Sequence, residues 1–124
     1  MSRQFIYPKA GSSVTDDMLW QLPPKMLLIA SRLACLLKAG GCMAMIVTSI
    51  YRPKEDDSGV HADWRGVDVS IQGIPEDLLL ACQETINKEF PYDPARPGMQ
   101  TLVIHTGVGY NNDVGRHIHL QVMA

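Results

Sequence analysis

At 124 residues, with 46% hydrophobic and 19% charged side chains, the chain has room for one packed domain and not comfortably for two, and its composition excludes disorder. The formal net charge of −2, with Lys and Arg scattered and no basic run, gives no electrostatic footprint for nucleic acid or an anionic membrane. Cys35, Cys42 and Cys82 are odd in number, lack CxxC spacing and sit in apolar stretches, which reads as buried free thiols in a reducing compartment.

In chain order, residues 1–14 read as extended or irregular, with turn chemistry at Pro8 and Gly11-Ser12-Ser13. No sustained apolar run follows the single early charge, so no secretory signal is expected. Thr15 before Asp16 and Asp17 has the form of a helix N-cap, opening a short helix through Trp20. A longer helix is predicted from Pro24 to Ala39, with proline at its first position and Gly40-Gly41 at its end. Lys25, Ser31, Arg32 and Lys38 mark its wet side, and it is expected to cover a sheet. Its apolar core, about twelve residues interrupted by Arg32, is well short of the ~20 needed to span a bilayer. Residues 42–51 read as a central strand, and residues 52–59 as a polar loop leading to His61. Residues 67–71 alternate Val67, Val69 and Ile71 with Asp68 and Ser70, the mark of a half-buried strand. Pro75-Glu76-Asp77 opens a helix running to about Phe90, and residues 91–98 form a proline-rich loop. A strand at 101–106, a turn or flap at 107–115 and a final strand at 116–123 complete the chain. The expected fold is a single α+β domain, a small antiparallel sheet with helices on one face.

The chemistry concentrates in two places. The first is His61 and Asp68, seven residues apart; the second is His117-Ile118-His119. In the final strand Ile118, Leu120 and Val122 oppose His117, His119 and Gln121, so both imidazoles project from one face. If the two alternating strands share a sheet and a core, Asp68 and His119 project together from the face away from that core. His61, in the loop entering the first of them, then completes a three-ligand set. Two imidazoles and a carboxylate, with a fourth position for water, is the make-up of a catalytic zinc site. His105 has no ligand spacing around it and reads as structural.

The segments S-I-Y-R (ending at Arg52), H-A-D-W-R-G-V-D (beginning at His61) and H-I-H-L (beginning at His117), in that order, resemble the superfamily of zinc D-alanyl-D-alanine carboxypeptidases and L-alanyl-D-glutamate endopeptidases, which also contains the hedgehog signalling domain. The matched motifs span residues 49–120. The resemblance implies a hedgehog-like zinc peptidase fold, zinc held by His61, Asp68 and His119, and Arg52 engaging a substrate carboxylate or carbonyl, with Tyr110 as a second substrate-binding candidate. Its implied activity is hydrolysis of an amide bond in peptidoglycan stem peptides, of the carboxypeptidase or the endopeptidase type. The small size and missing signal resemble phage or prophage lysis enzymes: a protein made in the cytoplasm that meets the cell wall if released or carried by a virion.

The chain departs from the family pattern in the acid–base group. Many members carry a glutamate three residues before the last zinc histidine, where this chain has Arg116; the hedgehog-like branch places it six residues before, where this chain has Asp113. Gly59 stands where a serine often precedes the first zinc histidine by two residues. Asp113 and His117 are therefore both candidates for handling the proton, with Asp113 favoured as base and His117 as the group stabilising the tetrahedral intermediate. Two competing readings remain: a non-catalytic zinc module of the same fold, such as a virion or tail component, and a metal-free binding domain. Neither oligomeric state nor the stem-peptide bond is legible.

Overall fold

The structure, a computed structural model, describes residues 5–50, 65–96, 98–105 and 116–123. Its elements run β1 (Ile6–Pro8), α1 (Asp16–Trp20), α2 (Pro24–Ala39), β2 (Met45–Ser49), β3 (Gly66–Ser70), α3 (Glu76–Glu89), β4 (Leu102–His105) and β5 (His117–Gln121). The strands form one sheet in the order β1-β2-β3-β5-β4. The predicted α+β domain is present, but its sheet is mixed rather than antiparallel. Residues 6–8, in the stretch expected to be extended or irregular, form an edge strand parallel to β2, with Ile6 opposite Met45 and Pro8 opposite Val47. Proline is tolerated there because an edge strand has one side on which an N–H is not needed.

The helices follow from local chemistry. Thr15 Oγ1 accepts from the Met18 N–H and caps α1. In α2, Met26, Ile29, Ala30, Leu33, Ala34 and Leu37 are buried, a three-four spacing that makes one apolar stripe. Gly41, at φ +95°, carries the chain out of α2 in the left-handed region where a side chain is strained. α3 has Glu76 and Asp77 beside the positive end of its dipole and buries Leu79, Cys82 and Ile86.

The sheet supplies the other half of the core. Val67 pairs with Leu120 and Val69 with Ile118, while Leu102 and Ile104 lie opposite Leu120 and Ile118 on the other side of β5. These residues and Val47 share a face, and all but Ile104 are buried in one cluster with the inner residues of α2 and α3. A β-bulge between Val47 and Ser49 resets the alternation of β2, so that Ile50 returns to the core and Ser49 lies opposite Asp68. Truncating a fully enclosed residue such as Ile118 to alanine costs about 2–5 kcal/mol, so this layer holds the domain together. Bidentate ion pairs tie the elements outside it: Arg32 to Glu89 at 2.8 and 2.9 Å joins α2 to α3, and Arg116 to Glu76 at 2.8 Å joins the start of β5 to that of α3.

The thiols do not share one environment. Cys82 is buried and Cys42 partly so, but Cys35 is exposed, which corrects the expectation of three buried cysteines. Its position falls between the buried Ala34 and Leu37 on the rim of the α2 stripe, where an apolar sequence neighbourhood does not mean burial. Leu28, 58% exposed, departs from the expected wet side for the same reason. Among the described residues, no helix is long and apolar enough to cross a membrane.

Candidate functional site

The face of the sheet away from the helices gathers polar side chains because the period of a strand is two. Asp68 lies opposite His119 in the β3–β5 ladder, and Ser70 opposite His117. The two side chains meet: His119 Nδ1 is 2.8 Å from Asp68 Oδ1, and His117 Nε2 lies 3.8 Å from that same oxygen. The expected projection of Asp68 and His119 from one face is thus present. A solvated strand residue is not what Asp68 is, however. Asp68 and His119 are each 6% exposed and Gln121 is 8% exposed, so this face is closed as well.

Exposure rises along β5 from Gln121 and His119 to the part-buried His117, and across the ladder to the exposed His105. The site is therefore deepest at Asp68 and His119 and opens toward His105. That residue, read from the sequence as structural, stands opposite His117 and stacks on it, with ring centroids 5.1 Å apart and planes inclined by 15°. It meets the His119 ring edge-on at 5.2 Å. The signal was present in β4, where His105 and Val103 alternate with Leu102 and Ile104, but only the cross-strand register brings His105 to the pair.

Gln121 is the other residue the sequence did not single out. Its Oε1 is 3.3 Å from His119 Nε2, while its amide Nε2 donates to the Gln100 carbonyl at 2.7 Å. Ser49, opposite Asp68 across the bulge, has an enclosed Oγ with no hydrogen-bond partner among the described residues. An orphaned buried hydroxyl costs about 1–3 kcal/mol, the kind of expense that sites for ligands retain.

Asp68 and His119 bring together one oxygen and one nitrogen donor of the kinds that a divalent metal takes. Zinc holds nitrogen and carboxylate oxygen at about 2.0–2.2 Å, so two tetrahedral ligands lie ~3.3 Å apart. The observed 2.8 Å needs a separation of only ~0.5 Å to admit the ion. Among the described residues, no group of three or more His, Cys, Asp or Glu side chains is arranged to hold a metal. The third predicted ligand, His61, lies outside the described residues, as do Arg52, Tyr110 and Asp113 with their loop and flap.

Against known proteins, the chain matches no family model, no curated protein and no solved structure.

Proposed function

We propose that the protein is a zinc-dependent peptidase that hydrolyses an amide bond in peptidoglycan stem peptides, with His61, Asp68 and His119 as the metal ligands. The observation that carries this reading is the buried contact of Asp68 with His119 at 2.8 Å, on neighbouring strands, beside a Ser49 hydroxyl with no hydrogen-bond partner among the described residues. A carboxylate and two imidazoles within 4 Å, buried at one end of the cluster and open at the other, suit hydrolysis better than a solvated surface patch does.

Zinc held there would lower the pKa of water toward ~7 and polarise the scissile carbonyl. Asp113 takes a proton from the attacking water and returns it to the leaving amine as the C–N bond breaks and a C–O bond forms. His117, at the open end, donates to the carbonyl oxygen as the carbon becomes tetrahedral. Arg52 binds a substrate carboxylate through its planar fork, which the stem peptide offers near the scissile bond, and Tyr110 contributes to the same binding. The restriction to stem peptides, and a role in lysis of a bacterial wall by a phage or prophage, rest on the sequence resemblance.

The test is digestion of purified peptidoglycan by zinc-loaded protein, with mass spectrometry of the products. New amino termini at one stem-peptide bond are expected, together with about one zinc per chain. Sub-stoichiometric metal after remetallation would remove the metal site; full zinc with no new termini would leave a zinc-binding module without turnover.

A further inference from the structure

The geometry points to Gln121 as the positioning residue that fixes which nitrogen of His119 faces the metal; this rests on the zinc reading above. Gln100 sets the orientation of the Gln121 amide. Its carbonyl can only accept, so the side chain 2.7 Å away must present its NH₂ group there. The Gln121 amide is thereby oriented, and the atom left facing His119 Nε2 is its oxygen, Oε1, at 3.3 Å. An oxygen acceptor calls for a proton on Nε2. The other nitrogen, Nδ1, faces Asp68 Oδ1 at 2.8 Å and is the one left for a metal. Nδ1 and Asp68 Oδ1 would then be the atoms that hold the ion, with every hydrogen bond of Gln121 kept.

The rest of the neighbourhood makes Gln121 a rigid support. Its own N–H donates to the Thr101 carbonyl at 2.9 Å, and Gly66 opposite it in β3 has no side chain to compete for space. The Gln100–Thr101 segment is fastened to α3: Thr101 Oγ1 donates to the Phe90 carbonyl, and Asn87 exchanges two hydrogen bonds with the backbone of Leu102, at 2.8 and 3.0 Å. The orientation of a metal ligand is thus set by a chain running His119, Gln121, Gln100 and through the loop to α3. Metal-binding histidines commonly donate their second N–H to such a partner, and removing it weakens metal binding by roughly 10–100-fold.

The experiment compares zinc affinity, by competition with a chelator, in the full chain and in Gln121→Met and Gln121→Glu, and reads the His119 nitrogens by ¹H–¹⁵N correlation in the zinc-loaded parent. We expect the parent to bind zinc through Nδ1 with the proton on Nε2. Gln121→Met, which keeps the bulk but offers no acceptor, should bind zinc roughly 10–100-fold more weakly. Gln121→Glu should hold near-parental affinity, because a carboxylate still accepts from Nε2–H, while melting lower because it faces the Gln100 carbonyl. A purely structural role would make affinity follow stability in both variants. Zinc on Nε2 in the parent, or unchanged affinity in Gln121→Met, overturns the inference and leaves the zinc reading intact. A parent that binds no zinc overturns both.

Discussion

Cys35 and Cys82 carry the same thiol in opposite surroundings. Cys82 is 2% exposed, and burial first, with Cys42 nearby second, raises its pKa above the ordinary thiol value. Reactivity belongs to the thiolate, so both its access and its ionised fraction are reduced, whereas Cys35 lies open on α2. Under native conditions a maleimide should label Cys35 quickly and Cys82 only on the timescale of opening, read by mass spectrometry of the digested protein. Equal rates at the two would contradict the packing of α3 against the sheet. The candidate site shows the same dependence on surroundings. Asp68 and His119 were legible because period-two alternation is a local property, carried by the residues beside each. Gln121 shared that face by the same alternation, but its bond to a carbonyl twenty-one residues away at Gln100 was not legible, nor was the place of His105, which comes from cross-strand register. Exposure of Cys35 escaped the sequence too, since an apolar helix does not announce its rim.

The elements that the sequence carried best are those that end on their own chemistry. Thr15, Pro24 and the two glycines after Ala39 bound α1 and α2 where the sequence placed those helices. β1 was legible only as extended or irregular chain, because three residues hold little pattern and its hydrogen bonds come from β2, a pairing the mixed sheet makes and local propensity cannot. Between elements, the ion pairs give the domain a response to acid. Hydrogen bonds from Arg116 lower the pKa of Glu76, and those from Arg32 lower that of Glu89, each from the ordinary 4.5. A carboxylate whose folded pKa is depressed stabilises the fold above its unfolded value, and that contribution is lost as pH falls through the folded one. Melting temperature should therefore drop as pH falls below about 4.5, and Glu76→Gln with Glu89→Gln should shallow that slope, less so in high salt. Asp93, held low by the Ala95 N–H and then by Arg96, keeps its own share in the double variant. An unchanged slope would mean that neither pair forms in solution.

At the scale of the whole molecule, the apolar and polar faces of the sheet do different work. Val67, Val69, Ile118 and Leu120 join the helices in one buried cluster, and none of them touches the chemistry of Asp68. The fold therefore has a hydrophobic layer sufficient to form it, and a proposed metal on the far side adds stability by mass action rather than by nucleating structure. The added free energy is RT ln(1 + [Zn]/Kd), about 2.7 kcal/mol at a free zinc concentration one hundred times Kd. In a chain of this length that raises the melting temperature by roughly 10 °C. The far-UV circular dichroism of the metal-free protein should match that of the loaded one, while calorimetry shows the midpoint rising with the logarithm of free zinc. Asp68→Asn, which keeps the shape of the side chain and removes its charge, should abolish that rise. Melting that ignores zinc would count against a site at Asp68 and His119. Loss of the far-UV signal on zinc removal would show instead that the metal holds the sheet and its helices together, and that the apolar layer alone does not.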